Sequence, residues 1–498
     1  MDKHVWAGHL SGWRAFLTES ISRTDDLGEK VKLDRQLRAI ERVRYGAALS
    51  PALVSQFIQP NASPAEPCKL DKTFLSLNDS QRKAVCSALG KAPLVLIQGP
   101  PGTGKTQVIA EICLQLLARD PNARILVCSE THVAVNNLLS RISDLAQDYR
   151  IVRIRDKEGD GQIDAYSPTS IVESHIEWLS YVCDNEEAVG IIADELRMKG
   201  EDDQGAEDNS LEKALALSSN IAGMTCNRVA AYDFRDTTEM FDVAIIDEVC
   251  KATLPEILMP LLVSKKAVLV GDPMQLPPVF CSEEQDVIES IEGCNLRELM
   301  YIDELFRLGR GVVALDTQYR MVDEIGDLIS SNFYDHKLVN GRNEARGDSL
   351  TWIDYRPSFD CPPTRPAIGG TTSVSNKDEC QIIAKVLEEI RAEEDVGSKI
   401  AVISPYRAQV TMLRNALGQS DDLSIDTVDG FQGKESDVVI FSVARTNGPF
   451  RFVNDSRRLN VAISRARNRV IIVGSLNYCK ERSSLLSAIA NSCRIRTM

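Results

Sequence analysis

The sequence predicts an α/β protein built on two parallel sheets. Seven short runs rich in β-branched residues have the length of buried strands, and amphipathic stretches of helical period separate them. The runs fall into two clusters, over 93–272 and 399–475, and a chain of 498 residues is long enough for two such sheets. The predicted strands are 93–99, 124–130, 241–248, 266–272, 399–406, 437–445 and 469–475.

The charge and the cysteines exclude several classes of protein. The 72 Asp and Glu residues outnumber the 57 Lys and Arg residues, which gives a net charge of −15. A wholly basic coat protein is therefore excluded, and nucleic acid would have to be held in a local basic groove. The 13 cysteines form no C-x-x-C pair, which argues against a zinc site or a disulfide framework. No run reaches the roughly 18 apolar residues of a membrane span, so we expect a soluble, intracellular protein of the cytoplasm or nucleus.

The two ends of the chain differ from the α/β pattern. Residues 1–50 predict a helical accessory segment, in which 27–45 forms a basic amphipathic helix whose charged side chains either lie in solvent or contact nucleic acid. Four prolines between 51 and 67 oppose a continuous helix or strand, so 51–75 is predicted to be a linker. Residues 479–498 are assigned to a C-terminal tail.

The first α/β domain is predicted over 76–295 and the second over 296–478. Within the first domain, the stretch 150–213 contains 17 acidic and 7 basic residues, a net charge of −10. Such a stretch interrupts the strand and helix alternation and predicts an acidic, partly helical insert, with a flexible tip at 200–210.

A phosphate-binding P-loop occupies GPPGTGKT at 99–106. It follows a predicted strand and precedes a helical stretch, so its glycines let backbone N–H groups turn toward phosphate at a helix N-terminus. Lys105 is expected to reach the β and γ phosphates of a nucleotide, and the Thr106 hydroxyl is expected to bind Mg²⁺. The predicted nucleotide-binding residues of this loop are Gly102, Thr103, Gly104, Lys105 and Thr106.

Two adjacent carboxylates follow the apolar run that starts at Phe241. Parallel sheets carry their chemistry at the carboxyl ends of the strands, which is where this run places Asp247 and Glu248. Asp247 is predicted to hold Mg²⁺ through its water shell, and Glu248 to orient and deprotonate the attacking water.

Amides and arginines complete the predicted site. Gln275 in GDPMQLPP is a neutral group that can bind both a water and a γ-phosphate oxygen, and Gln81 precedes the P-loop strand, where an amide is suited to read the edge of adenine. Phosphoryl transfer also needs fixed positive charge. Spacing alone does not choose among the candidates, which are Arg320, Arg465 and Arg467.

The ordered motifs resemble those of the superfamily 1 helicases of the up-frameshift branch, over residues 76–478. They are LNDSQ, GPPGTGKT, DEVCKAT, GDPMQLPP, QYRM, VISPYRAQV, TVDGFQGKESDVVI and LNVAISRARNRVIIVG. The resemblance implies two tandem RecA-like P-loop NTPase domains that close on ATP and grip one nucleic-acid strand. The implied activity is that of a helicase or translocase that hydrolyses ATP with Mg²⁺ on single-stranded DNA or RNA and moves 5′ to 3′.

The resemblance also implies roles for single residues. Gln81 would read adenine, Tyr319 would stack on the base, Glu435 would contact the ribose, and Arg320 and Arg465 would serve as arginine fingers. Gly433 would belong to the same nucleotide site. The implied nucleic-acid contacts, mostly to phosphate and sugar, are Thr131, His132, Thr225, Pro277, Ser404, Pro405, Tyr406 and Thr427.

The chain departs from the family pattern in two respects. Lys251 and Val249 stand where the family has Gln and Ala, so a side chain that donates and accepts hydrogen bonds is replaced by one that only donates. The accessory β-barrel of the family precedes its adenine-reading Gln, whereas 80 residues precede Gln81 here. Both departures favour an alternative function, an ATP-gated nucleic-acid clamp or remodelling switch with little unwinding.

Three further expectations concern single segments. NKDE at 376–379 is similar to the guanine-reading N-K-x-D of GTPases, but Glu379 replaces Asp, and Asn376 is suited to cap the following helix. The acidic insert lies between the segments of Thr131 and Thr225, so it is either an electrostatic gate over the nucleic-acid path or a solvated helical appendage. We expect a monomer, with the N-terminal segment or the insert as the place where a protein regulator would act.

Overall fold

The chain divides into two structural units in a computed structural model. The first unit comprises Met1–Gly99, Lys105–Pro273 and Pro277–Leu315. The second comprises Asp316–Met498 together with two short segments, Pro100–Gly104 and Met274–Leu276. The described residues are 3–48, 50–58, 68–155, 165–183, 189–194, 210–231, 241–291, 299–308, 311–358, 373–393, 397–448, 450 and 452–498.

The first unit is a parallel α/β sheet with helices on both faces. Its described helices are α1 Lys3–Arg23, α2 Leu27–Arg44, α3 Pro51–Ile58, α4 Asp79–Ala88, α5 Lys105–Arg119, α6 His132–Ser143, α7 Pro168–Val182, α8 Ser210–Ser218, α9 Cys226–Val229, α10 Leu254–Leu262, α11 Ser282–Ser290 and α12 Tyr301–Leu308. Its described strands are β1 Leu94–Gln98, β2 Ile125–Ser129, β3 Ile151–Arg153, β4 Ile221–Thr225, β5 Phe241–Ile246, β6 Ser264–Gly271 and β7 Val313–Ala314.

The seven strands run parallel in the order β3-β4-β2-β5-β6-β1-β7. Alternate residues of a strand point to opposite faces, so the sheet has an apolar core on each side. In β1, Leu94 and Leu96 face one core while Val95 and Ile97 face the other. Helices α4, α5 and α6 cover the second core, and α1, α2, α3, α10 and α12 cover the first.

The N-terminal helices are part of the first core. The Trp13 indole N–H donates to the Leu299 carbonyl over 3.2 Å, and the Trp13 ring packs against Phe16 and Phe280. The Tyr301 hydroxyl donates to the backbone carbonyl of Phe57. The segment predicted as an accessory therefore forms one face of the first unit.

Helix α2 confirms the basic amphipathic helix predicted over 27–45. Leu33 and Ile40 are buried on its apolar stripe. On its exposed side, Arg38 pairs with Asp34 at 2.6 Å, one turn away on the same helix. Such pairing along the helix is typical of a solvated face, which favours the solvated interpretation over a nucleic-acid contact.

The prediction that the composition of 51–67 opposes a helix is wrong for its first part, because α3 spans Pro51–Ile58. A proline in the first turn of a helix lacks only an N–H that would have no helical partner. Leu53 and Phe57 are fully buried and hold this short helix on the sheet. The other three prolines lie in 59–67, outside the described residues.

The second unit is a smaller parallel sheet with the order β12-β11-β13-β14-β10-β15, and β8 and β9 form a separate two-stranded ladder. Its described helices are α13 Asp323–Phe333, α14 Lys377–Glu393, α15 Arg407–Leu417, α16 Ser456–Ile463, α17 Leu476–Arg482 and α18 Ser484–Asn491. Its described strands are β8 Thr317–Gln318, β9 Val339–Asn340, β10 Leu350–Asp354, β11 Ile400–Ser404, β12 Leu423–Thr427, β13 Ser436–Ser442, β14 Ala466–Val473 and β15 Arg494–Thr497.

The predicted α/β class with two parallel sheets is confirmed, and all seven predicted strands are present, as β1, β2, β5, β6, β11, β13 and β14. The first unit continues past the boundary predicted at 295/296, because β7 pairs with β1 and α12 packs in the first core. The predicted tail 479–498 is also folded, since α18 buries Leu486 and Ile489 and β15 pairs with β10. No helix of the described residues is long and apolar enough to cross a bilayer.

The acidic insert is described only in part. Ile151–Arg153 belongs to the first sheet as β3, so the inserted stretch begins after it. Helix α7 confirms the predicted helical character, with Val172 and Ile176 buried against Ala193. Residues 156–164, 184–188 and 195–209, with most of the predicted tip, lie outside the described residues. The choice between a gate and an appendage stays a prediction.

Candidate functional site

The predicted residues of the first unit gather at one edge of its sheet. Because all strands are parallel, their carboxyl ends share that edge. β1 ends at the P-loop, β2 ends before Thr131, β4 ends at Thr225, and β5 ends before Asp247. This edge therefore brings Lys105 and Thr106 at the start of α5, the acidic pair and two candidate nucleic-acid contacts onto one surface of the unit.

The P-loop has the backbone conformation that its glycines allow. Gly102 and Gly104 have φ angles of 74° and 79°, in the left-handed region that favours glycine. The Lys105 ammonium donates to the Gly99 carbonyl over 2.8 Å. A Cβ at Gly99 would lie 2.3 Å from Lys105 Cγ, so this glycine leaves room for the lysine stem. The Thr103 hydroxyl closes the turn on the Pro100 carbonyl at 2.8 Å.

Asp247 is buried directly after β5. Its backbone N–H donates to the Cys128 carbonyl at the end of β2, over 2.9 Å. Burial, and after it the neighbouring Glu248 carboxylate, raises the pKa of Asp247 to about 7, although Lys105 acts in the opposite direction. No hydrogen-bond partner reaches the buried Oδ1 atom among the described residues. A carboxylate in this position is strongly favoured by a nearby cation.

These groups fit a magnesium ion. Mg²⁺ prefers oxygen ligands and usually takes one or two carboxylates while keeping several waters. The buried Oδ1 of Asp247 is such an oxygen, and Thr106, the second residue of α5, supplies a hydroxyl at the same sheet edge. Bound there, the ion would neutralise charge on the transferred phosphoryl group.

Glu248 adopts a strained backbone conformation, with a φ of 55°. A side-chain-bearing residue costs about 1–2 kcal/mol in the left-handed region. The conformation turns the chain sharply, so that the Lys251 N–H donates back to the Glu248 carbonyl over 3.0 Å. Strain of this kind persists where the surrounding structure enforces it and is concentrated at functional sites. The turn separates the partly exposed Glu248 from the buried Asp247.

Gln81 is buried and fixed by a capping box at the start of α4. The side-chain amide oxygen of Gln81 accepts from the Asn78 backbone N–H over 3.0 Å. The backbone N–H of Gln81 donates to Asn78 Oδ1 over 2.8 Å. The capping box stabilises the helix start and fixes the orientation of the amide.

The second unit brings two of its predicted catalytic residues together. The buried Arg465 donates from Nη2 to Gln275 Oε1 over 3.2 Å. Arg320 instead forms an ion pair with Glu435 at 2.6 Å, and Arg467 pairs with the same carboxylate. Burial raises the pKa of Glu435, but the two guanidinium groups outweigh burial and hold it below the usual range. Of the three arginine candidates, Arg465 is the one placed beside the predicted γ-phosphate sensor.

The predicted base-stacking residue is partly exposed. Tyr319 is 46% exposed, and its N–H donates to the Gly102 carbonyl over 2.8 Å. A Cβ at Gly341 would lie 2.5 Å from the Tyr319 ring, so this glycine lets the ring lie flat on the backbone. Gly433 has a φ of 80° at the end of the turn that precedes Glu435.

The candidate nucleic-acid contacts of the first unit hold their own loops in place. The Thr131 and Thr225 hydroxyls cap α6 and α9 by accepting from backbone N–H groups, each over 3.3 Å. His132 Nδ1 lies 3.0 Å from a guanidinium nitrogen of Arg153. Pro277 is half-buried. The two threonines therefore stand where strand ends turn into helices, the usual place for backbone-directed phosphate contacts.

In the second unit, the candidates follow β11 and β12. Ser404, Pro405 and Tyr406 are buried, and Thr427 accepts from the Gly430 N–H over 3.2 Å. The Tyr406 hydroxyl accepts from Arg445 Nε over 3.0 Å, and the Arg445 guanidinium lies 5.4 Å from the centre of the Tyr406 ring.

A buried polar network supports this loop. Asn376 caps α14, as predicted, by accepting from the Glu379 N–H over 3.0 Å. Glu379 accepts from the Ala444 N–H over 2.8 Å, and Ala444 has a φ of 63°. Burial raises the pKa of Glu379 to about 7. The NKDE segment thus anchors the residue before Arg445, and this structural role accounts for it without guanine recognition.

Comparison with known proteins decides the family. Two family models, both described as an AAA domain, match the chain, one over residues 76–179 and 183–283 and the other over 299–477. DNA polymerase alpha-associated DNA helicase A of Saccharomyces cerevisiae is 31% identical over 462 residues, covering 81% of this chain and 66% of that protein. The ATP-dependent helicase upf1 of Schizosaccharomyces pombe is 30% identical over 507 residues, covering 93% of this chain and 53% of that protein.

The chain belongs to the up-frameshift branch of the superfamily 1 helicases. The resemblance predicted from the eight motifs is confirmed. The chain spans two thirds or less of the length of the two curated relatives above. A solved complex of Arterivirus nonstructural protein 10 (helicase) with DNA matches 83% of this chain and 65% of that chain at 14% identity, with a TM-score of 0.41.

Within this superfamily 1 chain, the unusual Lys251 has a partner. Its ammonium lies 3.7 Å from a carboxylate oxygen of Glu130, the residue before Thr131. The cation that replaces the family glutamine is therefore compensated inside the first unit.

Sequence reasoning missed four supporting residues of this helicase-family site. The sequence places Arg153 among the charges of the insert. In the structure Arg153 is fully buried, donates to Asn136 over 2.7 Å and lies beside His132. The others are Glu130, Asn227 and Arg445. Only Arg153 carried a local signal, since it lies in the alternating run IVRIR. The partners of the others are distant in sequence.

Proposed function

We propose that this chain is an ATP-dependent helicase or translocase that moves 5′ to 3′ on single-stranded DNA or RNA. The observation that carries the proposal is the buried Asp247, whose Oδ1 has no partner among the described residues, on the same sheet edge as Lys105 and Thr106. Family membership and the names of the curated relatives support ATP-dependent helicase activity, and the direction of movement is the one that the family resemblance implies.

In the proposed reaction, each group acts where its chemistry is needed. Lys105 leaves the Gly99 carbonyl and binds the β and γ phosphates of ATP, while Glu248 takes a proton from the attacking water. Asp247 and Thr106 would hold the magnesium ion. Arg465 stabilises the charge that develops on the γ-phosphate, and its neighbour Gln275 orients the water.

Nucleic acid is proposed to bind along the strand ends of each unit. The candidate contacts are hydroxyls, prolines and backbone groups, which fix the position of a strand without reading its sequence. An acidic chain of net charge −15 holds phosphate only at such local sites, so affinity is expected to fall steeply with salt.

The test measures ATP turnover without nucleic acid, and with single-stranded DNA and RNA of matched length. Stimulation by at least one of them is expected, and the larger effect identifies the substrate. Duplexes with a 5′ or a 3′ single-stranded tail then give the direction. Turnover indifferent to both single strands would contradict the proposal.

One observation favours the alternative, an ATP-gated clamp or remodelling switch. The described residues before β1 form the helices α1 to α4 and irregular segments, with no strand of an accessory β-barrel among them. Strand-stimulated ATP hydrolysis without displacement of either tailed duplex would support the clamp. For the helicase and for the clamp alike, a protein regulator is proposed to act through the N-terminal helices or the acidic insert.

Adenine preference is expected to depend on Gln81. Replacing Gln81 with alanine removes the paired hydrogen bonds to the base, so ATP binding should weaken more than GTP binding, by about 1–3 kcal/mol. The same change also removes the capping box, which is worth about 1 kcal/mol of stability. Titrations with ATP and GTP measure the difference.

Gln81→Glu is the matched variant for this prediction. Its carboxylate still accepts from the Asn78 N–H and keeps the capping box, but it has no N–H group to offer adenine. We expect this variant to keep its thermal stability and to lose discrimination between ATP and GTP. Unchanged discrimination in both variants would remove Gln81 from base recognition.

A further inference from the structure

The turn that follows Glu248 and the helix α10 after it are held by two polar links to other strand ends of the first unit. The first link is the ion pair of Lys251 with Glu130, at 3.7 Å. Both side chains are partly buried, at 24% and 30% exposure, so solvent screens the pair less than an exposed one. Glu130 directly precedes Thr131, and Lys251 lies three residues after Glu248.

The charges around Glu130 make Lys251 its main partner. Burial raises the pKa of the Glu130 carboxyl, and Lys251 is the strongest influence that lowers it. Glu256 on α10 opposes ionisation, and Lys32 on α2 supports it weakly. Removing the Lys251 charge therefore leaves a partly desolvated carboxylate facing another acid.

The second link runs from Asn227 to the helix after the turn. Glu256 caps α10 by accepting from the Thr253 N–H and hydroxyl, each over 2.8 Å. The other oxygen of Glu256 accepts from the Asn227 side-chain amide over 2.9 Å. Asn227 lies two residues after Thr225, and its side-chain Oδ1 accepts from the Gln36 side-chain amide of α2 over 3.3 Å.

We propose that Lys251 and Asn227 are positioning residues through which a bound strand adjusts Glu248. Lys251 joins the turn after Glu248 to Glu130, which precedes Thr131. Asn227, two residues after Thr225, holds the helix α10 that follows the turn. Glu248 is already strained, and a general base needs hydrogen-bond reach to its water, so a small displacement of the turn changes the rate. The inference rests on the proposed function.

The experiment compares ATP turnover with and without saturating single-stranded DNA or RNA, whichever stimulates the wild-type protein more. The variants are Lys251→Gln, Glu130→Gln, their double variant, Asn227→Ala and the charge-conserving Lys251→Arg. Lys265→Gln is the matched control, because Lys265 pairs with Asp242 at 2.7 Å near the amino ends of β5 and β6. Strand affinity and thermal stability are measured for every protein.

We expect the ratio of stimulated to basal turnover to fall about 3- to 10-fold in Lys251→Gln, Glu130→Gln and Asn227→Ala. The Lys251/Glu130 double variant should lose no more than one single variant, because both remove the same link. Lys251→Arg should keep most of the ratio, and Lys265→Gln all of it.

Three outcomes overturn the inference. The first is an unchanged ratio in the folded variants, and the second is an equal fall of the ratio in Lys265→Gln. The third is recovery of full stimulation when the strand concentration is raised further, which would mean that Lys251 only contacts the strand. A wild-type protein without strand stimulation would instead refute the proposed function. If Lys251→Gln does not fold, Glu130→Gln and Lys251→Arg decide the point.

Discussion

Replacing Glu248 with glutamine is expected to lower ATP turnover by about 10²–10⁴-fold while ATP still binds. The amide occupies the same volume and still orients a water, but it cannot accept the proton. Asp247 is unsuited to replace it, since it is buried with a raised pKa of about 7 and fits the magnesium ion. Turnover and equilibrium binding of ATP, measured on the same preparation, separate the two effects.

A stability measurement provides the control for this variant. At a φ of 55°, glycine is expected to be more stable than alanine by about 1 kcal/mol, because only glycine adopts this conformation without strain. Glu248→Gly should therefore unfold at a higher temperature than Glu248→Ala although both are inactive. Near-normal turnover in Glu248→Gln would exclude Glu248 as the general base.

Replacing Lys105 with alanine should weaken ATP binding and abolish turnover. Hydrogen bonds to charged groups are worth about 1.5–3 kcal/mol, so the affinity for ATP should fall on the order of 10- to 150-fold. The rate at saturating ATP should fall by a further factor of about 10²–10³, because Lys105 also stabilises charge in the transition state. Binding titrations and turnover at saturating ATP measure the two losses.

Two further variants test whether these losses come from the Lys105 side chain. Gly99→Ala places a methyl group 2.3 Å from Lys105 Cγ, so it should reproduce part of the loss without removing the charge. Lys83→Ala, on the exposed side of α4, should leave both quantities unchanged. Equal ATP affinity in Lys105→Ala and Lys83→Ala would contradict phosphate binding by Lys105.

A strand was predictable from the sequence when its own residues carried the signal. A strand buried on both faces of a parallel sheet is a nearly continuous apolar run, and the seven such runs were found. The missed strands lack that signal. β3 has three residues, and β7, β8 and β9 have two each. Polar residues break the apolar runs of β10 and β12, Gly223 breaks that of β4, and β15 is exposed along its length.

The residues of the candidate site also divide into those with a local sequence signal and those without one. The P-loop, the acidic pair and the arginine motifs are contiguous in sequence, so each was recognised from its own residues. The ion pair of Glu130 with Lys251, the amide of Asn227 on Glu256, and the stacking of Arg445 on Tyr406 join distant segments. Their partners are chosen by the order of strands in the sheet, which composition and spacing do not encode.

The N-terminal helices lie outside the residues that the family models match, yet they belong to the folded first unit. The matches to known families begin at residue 76, but Trp13, Phe16 and Phe57 lie in the same core as Leu94 of the first strand. A protein trimmed to the residues that the family models match would lose α1, α2 and α3 and expose part of one face of the first sheet to water, a surface that promotes aggregation. The segment matched by the family models and the folded first unit therefore begin at different residues of this chain.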